Sequence, residues 1–571
     1  MRTAIGHYRT YLGGLLLLTA AIACSGRAAD GERGAGFAGT PAGAGGSRAG
    51  NASGASGGGT SNDDPRGGSA GAATGGSTTS DAGMGNDDAG GESSAGSAGE
   101  GPIDAVRFVL LEPPPPPATP EGLTPEDERN FSTRYCCASA DASVIVGSST
   151  YVFPRFSDDL SGELTRPFIW REETGLKELG PIDDPNQGFV VSIDPEYVTA
   201  DGSRVLGSYM LGLPGAGGSE PVWTTQLGGF FVWTEAEGYT RFAPPDPVVN
   251  GHVYAYGADG KTVLGEVQPD AGSSLEFLWT EARGFSLLKD FPDWPAEGHP
   301  IALSRDGSSI LGIAGDSGFR WRESGLEWLG TVGIWPACTP EAISGDGAVI
   351  AGICKNGSET PITFRWTAAS GMVALDVNSS VQILPAQLSD HGDVLLGSEC
   401  APGTPLQRCI SRGLALWESG TGMRQLIPNG DPQSTYLIAP HGLTADGSAA
   451  IGTRLSNDRR SGDFQWTRSG GVRDLPSLTA ADGVYAFGQS ANGRLVAGSS
   501  GANAVVWDAA GVRDVGAELR SAGVDQKGWA LSATHGVTAA HSVIAYGSAS
   551  KSVPNSTLAE DRVWIAWLPT R

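Results

Sequence analysis

Histidine is the side chain most often used for acid–base catalysis, and the six histidines beyond residue 250 form no known catalytic motif. The sequence has neither the His-Glu-x-x-His of zinc proteases nor a phosphate-binding loop. Gly-x-Ser-x-Gly occurs in a low-complexity stretch, as at 54–58, where no strand-to-helix elbow can form. We therefore assign no catalytic residue and no cofactor. Two glycosidase carboxylates could still be any of the 63 acids. The six histidines are His252, His299, His391, His441, His535 and His541.

Aspartates that precede glycine are the second group that could do chemistry. An Asp-Gly or Asn-Gly pair between two apolar runs predicts a β-hairpin, because a type I′ turn needs positive φ at both central residues. The sialidase Asp-box separates Asp from Gly and adds a Trp that is missing here, and EF-hand spacing is also absent. We interpret these acids as turn formers and predict no metal site. The pairs begin at Asp201, Asp259, Asp306, Asp346, Asp446 and Asn492, and His391 and His541 take the same turn position.

Six cysteines lie beyond residue 130, an even number that favours disulfides in an exported domain. Cys338 and Cys354 flank a predicted hairpin turn symmetrically, so the spacing predicts that they pair. Cys400 and Cys409 bracket a loop and are the second candidate pair. Cys136-Cys137 is a vicinal pair that closes a very small ring, stays free or bridges elsewhere. Because no Cys-x-x-Cys occurs, a zinc site is not expected.

Tryptophans fall into two groups that we interpret differently. Nine recur at a fixed place in a repeat and are predicted to fill the core between neighbouring repeats. Trp223, Trp294 and Trp335 fall outside that pattern, in proline-containing loops where binding residues tend to concentrate. These three are the candidates for stacking on a ligand, and the ligand itself stays unknown.

Composition limits the partners of the chain. Its 571 residues include 86 Gly and 36 Pro, and the formal net charge is −25. An acidic chain of this kind is not expected to bind nucleic acid or to dock on anionic membranes through basic patches. No apolar run is long enough for a transmembrane helix.

The N-terminal segment looks like an export signal. Arg2 and Arg9 precede the apolar run Leu12–Ala23, which is too short to span a bilayer. The run ends in Ala21-Ile22-Ala23-Cys24, which resembles a bacterial lipobox, and the resemblance implies that Cys24 carries a lipid. Ser25 follows where retention at the inner membrane would favour Asp, so the resemblance implies an outer-membrane lipoprotein.

Residues 25–104 differ in composition from everything that follows. They are dominated by Gly, Ala and Ser, and after Phe37 they contain no aromatic residue with which to build a core. We predict a disordered linker with a root-mean-square reach of about 50 Å. The folded domain is expected to span residues 105–571.

A nine-fold repeat determines the predicted fold. Each unit contains an apolar segment, a turn, a second segment that ends in glycine, a strand of the form Phe-x-Trp, a glycine turn and a last strand. Four short antiparallel strands at a period near 50 residues are typical of a β-propeller blade. The repeated glycines are Gly147, Gly207, Gly265, Gly312, Gly352, Gly397, Gly452, Gly498 and Gly547. The repeated tryptophans are Trp170, Trp233, Trp279, Trp321, Trp366, Trp417, Trp466, Trp507 and Trp567.

The two ends of the repeat region predict a closed ring. The ninth unit stops after Trp564–Leu568 without a fourth strand, whereas Val106–Leu111 is a strand without a unit. Pairing the two completes the last blade and removes two exposed edges. We predict an all-β fold, a single propeller of about nine blades with eight as the fallback. An open β-solenoid is the alternative.

The repeated pattern Ser-x-Asp-Gly-x-x-Val-x-Gly followed by Phe-x-Trp resembles the extracellular repeats of the HAF family. It is seen in Ser304–Gly307 with Phe319–Trp321, and the resemblance covers residues 135–567. The His-Ala of the family's motif is replaced here. The resemblance implies an exported, propeller-like protein and carries no general activity.

Three functions remain open from the sequence. The first is a lipid-anchored envelope protein that presents its propeller as a binding or scaffolding module, as a monomer, for a glycan or another envelope protein. The second is a polysaccharide hydrolase or lyase, which predicts two carboxylates about 5–10 Å apart in the central funnel. The third is a purely structural envelope component.

Overall fold

The structure is a computed structural model. It describes residues 106–114, 131–157, 160–182, 189–214, 223–244, 248–269, 273–356, 361–375, 382–400, 413–427, 437–455, 461–539, 542–552 and 559–571. These residues form 36 β-strands, with an α-helix α1 (Val515–Ser521) and a 3₁₀ helix (Leu288–Asp290). The signal segment 1–24 with Cys24 and the linker 25–104 lie outside the described residues. No helix among the described residues is long and apolar enough to cross a membrane.

The strands fall into nine consecutive units of four, and each strand role recurs from unit to unit. The first strands are β2 (Phe131–Ala138), β6 (Phe189–Val198), β10 (Val248–Tyr256), β14 (Gly298–Leu303), β18 (Ala337–Ile343), β22 (Gln382–Leu388), β26 (Leu437–Leu443), β30 (Val484–Gln489) and β34 (Ala530–Ala539). The second strands are β3 (Val144–Ser157), β7 (Arg204–Pro214), β11 (Thr262–Pro269), β15 (Ile310–Ala314), β19 (Val349–Lys355), β23 (Val394–Cys400), β27 (Ala449–Leu455), β31 (Val496–Ser500) and β35 (Val543–Ser552).

The outer half of each unit is built from the two remaining strands. The third strands are β4 (Leu160–Arg171), β8 (Trp223–Thr234), β12 (Leu275–Thr280), β16 (Ser317–Arg322), β20 (Ile362–Thr367), β24 (Gly413–Glu418), β28 (Ser461–Thr467), β32 (Asn503–Asp508) and β36 (Ala559–Leu568). The fourth strands of units 1 to 8 are β5 (Gly175–Glu178), β9 (Gly238–Phe242), β13 (Gly284–Leu287), β17 (Gly325–Trp328), β21 (Gly371–Ala374), β25 (Gly422–Ile427), β29 (Gly471–Asp474) and β33 (Gly511–Asp514). All neighbouring strands within a unit are antiparallel.

The fourth strand of the ninth unit comes from the other end of the repeat region. It is β1 (Arg107–Leu111), which pairs antiparallel with β36 through five residue pairs, from Arg107 opposite Trp567 to Leu111 opposite Val563. The pairing of these two segments is the one that the sequence predicts.

The hairpin turns differ from the predicted type I′ geometry, and that prediction is wrong. In Asp346-Gly347 only the glycine has positive φ, 66°. The N–H of Gly347 donates to the carbonyl of Ser344, and the N–H of Ser344 donates to Val349. The Asp346 carboxylate accepts from the Ser344 hydroxyl at 2.6 Å and from the N–H of Ala348 at 2.9 Å. Because the side chain holds the turn, one glycine at positive φ is sufficient.

Hydrophobic cores lie between the units, and the repeated tryptophans belong to them. Trp170, for example, packs with Ile145 of its own unit and with Val563 and Trp567 of unit 9. The ninth unit therefore packs against the first, which an open solenoid would not allow. Eight of the nine repeated tryptophans have 6% or less of their surface exposed, and Trp417 is half-buried.

The first strands lie closest to the centre. Consecutive first strands contact each other in units 1–2, 3–4, 4–5, 5–6, 6–7 and 8–9. At the other three steps, side chains of the first strands make contacts across the boundary between units. Tyr256 reaches unit 2 from unit 3, Gln489 donates to Gly442 between units 8 and 7, and Tyr135 stacks on His535 between units 1 and 9. Four-stranded sheets arranged in this way form a propeller-type architecture.

Candidate functional site

Every first strand contains a β-bulge at the same place, opposite the repeated glycine. In unit 5, Pro340 pairs with Gly352 and Ala342 pairs with Ala351, so Glu341 between them has no partner on β19. The residues left over in this way, which we call the bulge positions, are Cys136, Glu196, Tyr254, Ile301, Glu341, Ala386, His441, Phe487 and His535. A bulge redirects one side chain per unit and is common next to functional sites.

Comparison of the nine units shows that the bulge positions vary although the surrounding frame is constant. The glycine opposite the bulge occurs in all nine units, and the turn and the core tryptophan recur with few changes. The bulge positions include acids, histidines, aromatic residues, aliphatic residues and a cysteine. Their chemical type is therefore not dictated by the fold. They are the places on the central strands where the chain can carry specificity.

Aromatic side chains form a continuous group across units 8, 9 and 1. The ring of Phe487 lies 5.8 Å from that of His535, which stacks on Tyr135 at 5.2 Å with an angle of 6° between the planes. Tyr135 also contacts Tyr546 at 5.3 Å. Tyr485 lies two residues before Phe487 on β30. We call Tyr135, Tyr485, Phe487, His535 and Tyr546 the aromatic arc.

The histidine of the aromatic arc is uncharged near neutral pH. Burial lowers the pKa of His535 to about 4. The Nε2 atom of its ring is hydrogen-bonded to the hydroxyl of Ser548, so this polar atom has a partner within the protein. The arc therefore presents apolar faces without a positive charge of its own.

Units 2 and 3 place an acid and two tyrosines together. The carboxyl of Glu196 accepts from the hydroxyl of Ser208 at 2.6 Å and from that of Tyr256 at 2.7 Å. Tyr256 stacks on Tyr197 at 5.2 Å. Burial raises the pKa of Glu196, and the two hydroxyl donors and His252 oppose this effect. These residues belong to a group that we call the acid–tyrosine cluster. Its members are Glu196, Tyr197, Ser208, His252, Tyr254, Tyr256 and Glu266.

The same cluster continues along β10 and β11. Tyr254 at the bulge of unit 3 donates to Glu266 at 2.6 Å, and Nδ1 of His252 lies 3.3 Å from the other oxygen of that carboxylate. The rings of His252 and Tyr254 meet edge to face at 4.8 Å. The cluster thus combines tyrosine rings with carboxylates that already hold hydrogen-bond partners.

A third acid occupies the bulge of unit 5. Burial raises the pKa of Glu341 to about 7, although Lys355 opposes the effect. No group of three or more His, Cys, Asp or Glu side chains among the described residues is arranged to hold a metal ion.

The turn aspartates lie where hairpin formers are expected. The Thr199 hydroxyl and both donors of Ser203 lower the pKa of Asp201 to about 2. The carboxylates of Asp201 and Asp346 accept hydrogen bonds from hydroxyl and N–H groups of their own turns. His391 lies in such a turn with its Nδ1 3.3 Å from Asp346, and His541 lies outside the described residues.

Two of the three predicted ligand-binding tryptophans, Trp294 and Trp335, belong to different hydrophobic cores. Trp294 is 9% exposed, packs against Trp321, and donates from Nε1 to the carbonyl of Gly298 at 3.2 Å. Trp335 is half-buried at the core between units 4 and 5. Trp223 begins β8, and its side chain lies outside the described residues.

Two disulfides are present among the residues that the structure describes. Cys338 and Cys354 are opposite each other in register, with Cα atoms 4.0 Å apart, and they are bonded. Cys136 and Cys137 are bonded to each other at the bulge of unit 1, beside Tyr135 of the aromatic arc. Cys400 is the last residue of β23, and Cys409 lies outside the described residues, so their pairing stays a prediction.

A buried acid from unit 7 positions the strand that carries the arc. The carboxylate of Asp463 accepts from the N–H of Ala486, the residue before Phe487, at 2.6 Å. Burial raises the pKa of Asp463 to about 7, and the Ala486 N–H and the Thr453 hydroxyl oppose the effect.

We expect Asp463→Asn to remove part of the pH dependence of stability. An unfolded aspartate titrates near 3.9, so the native state binds more protons between that pH and 7, and its stability falls as the pH rises through this range. Between pH 5 and pH 8 the wild type should lose about 2–3 kcal/mol more than the variant. Urea unfolding at both pH values measures the difference. Asp474→Asn, at a 72% exposed side chain of the same unit, is the control and should change nothing.

The architecture defines the class of the protein as an all-β repeat protein of the propeller type, and comparison with known proteins adds only distant likenesses. No family profile and no curated protein matches the chain. Among solved structures, it is similar to a prolyl endopeptidase with a TM-score of 0.35, 13% identity and coverage of 67% of this chain. This chain spans only 55% of that enzyme.

Two further structures show the same low level of likeness. An oligogalacturonate lyase in complex with manganese has a TM-score of 0.33 and 12% identity, with 63% of this chain and 96% of that chain covered. TolB from Acinetobacter baumannii has a TM-score of 0.24 and 11% identity, with 65% and 77% covered.

Proposed function

We propose that this chain is an exported, lipid-anchored protein of the cell envelope that presents a single nine-bladed propeller as a binding module. The signal segment, Cys24 and the linker 25–104 would hold the propeller at a distance from the outer membrane. The observation that carries the binding role is the set of variable bulge positions on a constant frame. A purely structural component would not need acids, tyrosines and exposed aromatic rings on its central strands.

The anchoring half of the proposal can be tested separately from the binding half. Metabolic labelling with an alkyne fatty acid should mark the wild-type chain, and Cys24→Ala should abolish the label. An unlabelled wild type would exclude the lipid anchor and leave the binding role open.

A thermal-shift screen against glycans, fragments of envelope polymers and calcium tests the binding half. A ligand present at about 100 times its Kd should stabilise the native state by about 2.7 kcal/mol. Chemical crosslinking in cells extends the screen to protein partners. If neither experiment finds a ligand or a partner, the structural alternative is favoured.

A hydrolase or lyase is the second candidate, because Glu196 is a half-buried carboxyl with a raised pKa near His252. Burial and neighbouring groups raise the pKa of a carboxyl that serves as a general acid, which is the direction of the shift at Glu196. Shortening of a polysaccharide during the same screen, and its loss in Glu196→Gln, would favour this candidate over simple binding.

A further inference from the structure

The aromatic arc exposes more apolar surface than the fold requires. On β30 the core is supplied by Val484 and Ala486, which are 4% and 5% exposed. The alternate residues Tyr485 and Phe487 are 45% and 36% exposed. Large aromatic side chains that are left in solvent on a central strand contribute little to the core, so their presence calls for another role.

Phe487 of this pair is continuous with neighbouring rings of two other units, and Tyr485 lies two residues before it on the same strand. Phe487 contacts His535 of unit 9, and His535 stacks on Tyr135 of unit 1. Because burial keeps His535 neutral, the surface formed by these rings has no charge of its own. Such a surface suits a ligand that offers flat apolar faces.

Hydrogen-bonding groups follow in the next two units around the centre. Glu196 of unit 2 and Glu266 of unit 3 are held by hydroxyl donors, and Glu266 also lies beside His252. Both carboxylates already hold hydroxyl donors, which disfavours pairing with a free cationic group, and each keeps lone pairs that can accept from a ligand hydroxyl. The formal charge of −25 disfavours a polyanion.

We propose that the aromatic arc is a subsite for a neutral polysaccharide, a site that deepens the binding function proposed above and rests on it. Sugar rings have C–H faces that pack on aromatic rings, and their hydroxyls pair with carboxylate and phenol oxygens. The arc takes the ring faces, and the acid–tyrosine cluster supplies the polar partners further along the circle of first strands.

The test is affinity electrophoresis of the full chain, purified from membranes in detergent, in native gels that contain a polysaccharide. The probes are laminarin, xyloglucan and dextran as neutral polymers, with alginate as the anionic comparison. At least one neutral polymer should retard the wild type, whereas alginate should not. Phe487→Ala and Tyr485→Ala should each weaken the interaction at least tenfold.

Trp328→Ala is the matched control, because Trp328 is 52% exposed on the fourth strand of unit 4 and lies outside the arc. It should bind as the wild type does. Unchanged melting temperatures show that the arc variants are folded, as expected for exposed side chains.

The outcomes separate this site from the general function. Retardation by a neutral polymer that survives both arc substitutions would overturn the site while leaving the binding module intact. If no neutral polymer retards the wild type, or if alginate does so more strongly, the ligand class is wrong. In that case the thermal-shift and crosslinking experiments still decide whether the propeller binds anything.

Discussion

Gly352→Ala is expected to destabilise the protein by about 3 kcal/mol or more, although alanine is the smallest possible addition. A Cβ at this position would overlap the carbonyl oxygen of Thr339 on β18 and come within 2.6 Å of the Phe364 ring. Neither atom can retreat. The carbonyl belongs to a strand fixed by its register with β19, and Phe364 is completely buried.

The same clash occurs in most units, so the prediction concerns the repeat as a whole. In five other units an added Cβ would overlap the carbonyl oxygen of the residue that lies two places before the bulge position. The glycines concerned are Gly147, Gly207, Gly397, Gly498 and Gly547. At each of these glycines the carbonyl of the first strand occupies the space that a Cβ would need. Glycine is therefore the residue that permits both the bulge and the aromatic ring that packs on it.

Gly462→Ala is the control for this prediction. Gly462 is in β28, and a Cβ there would meet nothing within 4 Å. It should leave stability unchanged or raise it slightly, because alanine restricts the unfolded chain. Thermal and urea unfolding of the two variants measure the contrast. Equal midpoints for Gly352→Ala and the wild type would show that the strands can separate to admit a methyl group.

The fold could be predicted from the sequence because its signals repeat. Nine copies of a glycine followed by a tryptophan, with a mean period near 50 residues, predict the units, and the strand without a unit at Val106–Leu111 predicts the pairing with β36. The turn type could not be predicted in the same way. An Asp-Gly pair is compatible with several turns, and the choice depends on the hydroxyl of Ser344, two residues before the Asp.

The candidate site was missed because its residues share no chemical type. Motif searches look for identity, whereas Glu196, Tyr254, Phe487 and His535 have only their place in common. The signal that identifies them is their position: in most units the bulge residue lies three residues before the Ser or Thr that begins the hairpin turn. Conversely, the position of Trp294 outside the repeat pattern predicts a ligand-binding role, but its ring is buried beside Trp321.

Removal of β1 is expected to have the second large effect. A chain that begins at residue 115 should unfold at a much lower temperature than one that begins at residue 105, because it lacks the fourth strand of unit 9. The loss includes five ladder pairs with β36 and the burial of Leu111, which is 2% exposed. It also removes the guanidinium of Arg107 from the face of the Trp567 ring, 4.2 Å away.

The effect should be larger than that of losing an ordinary edge strand, since β1 also contributes to the contact between units 9 and 1. Leu111 packs with Ile145 and Val563 in the core shared by the two units, and its carbonyl accepts from the Thr133 hydroxyl of unit 1 at 3.1 Å. At about 1.5–3 kcal/mol for each fully buried aliphatic side chain, the loss of Leu111 and its partly buried neighbours is about 5 kcal/mol.

Calorimetry of the two truncated chains compares them directly, and the chain from residue 105 is the control because it keeps β1. An exposed β36 edge should also make the shorter chain aggregate, which light scattering detects. Adding a synthetic peptide of residues 104–114 in excess should restore part of the melting temperature by occupying the vacant edge. If both chains melt at the same temperature, β1 does not hold the ends of the repeat together, and the closed ring must depend on the contacts that β34, β35 and β36 make with unit 1.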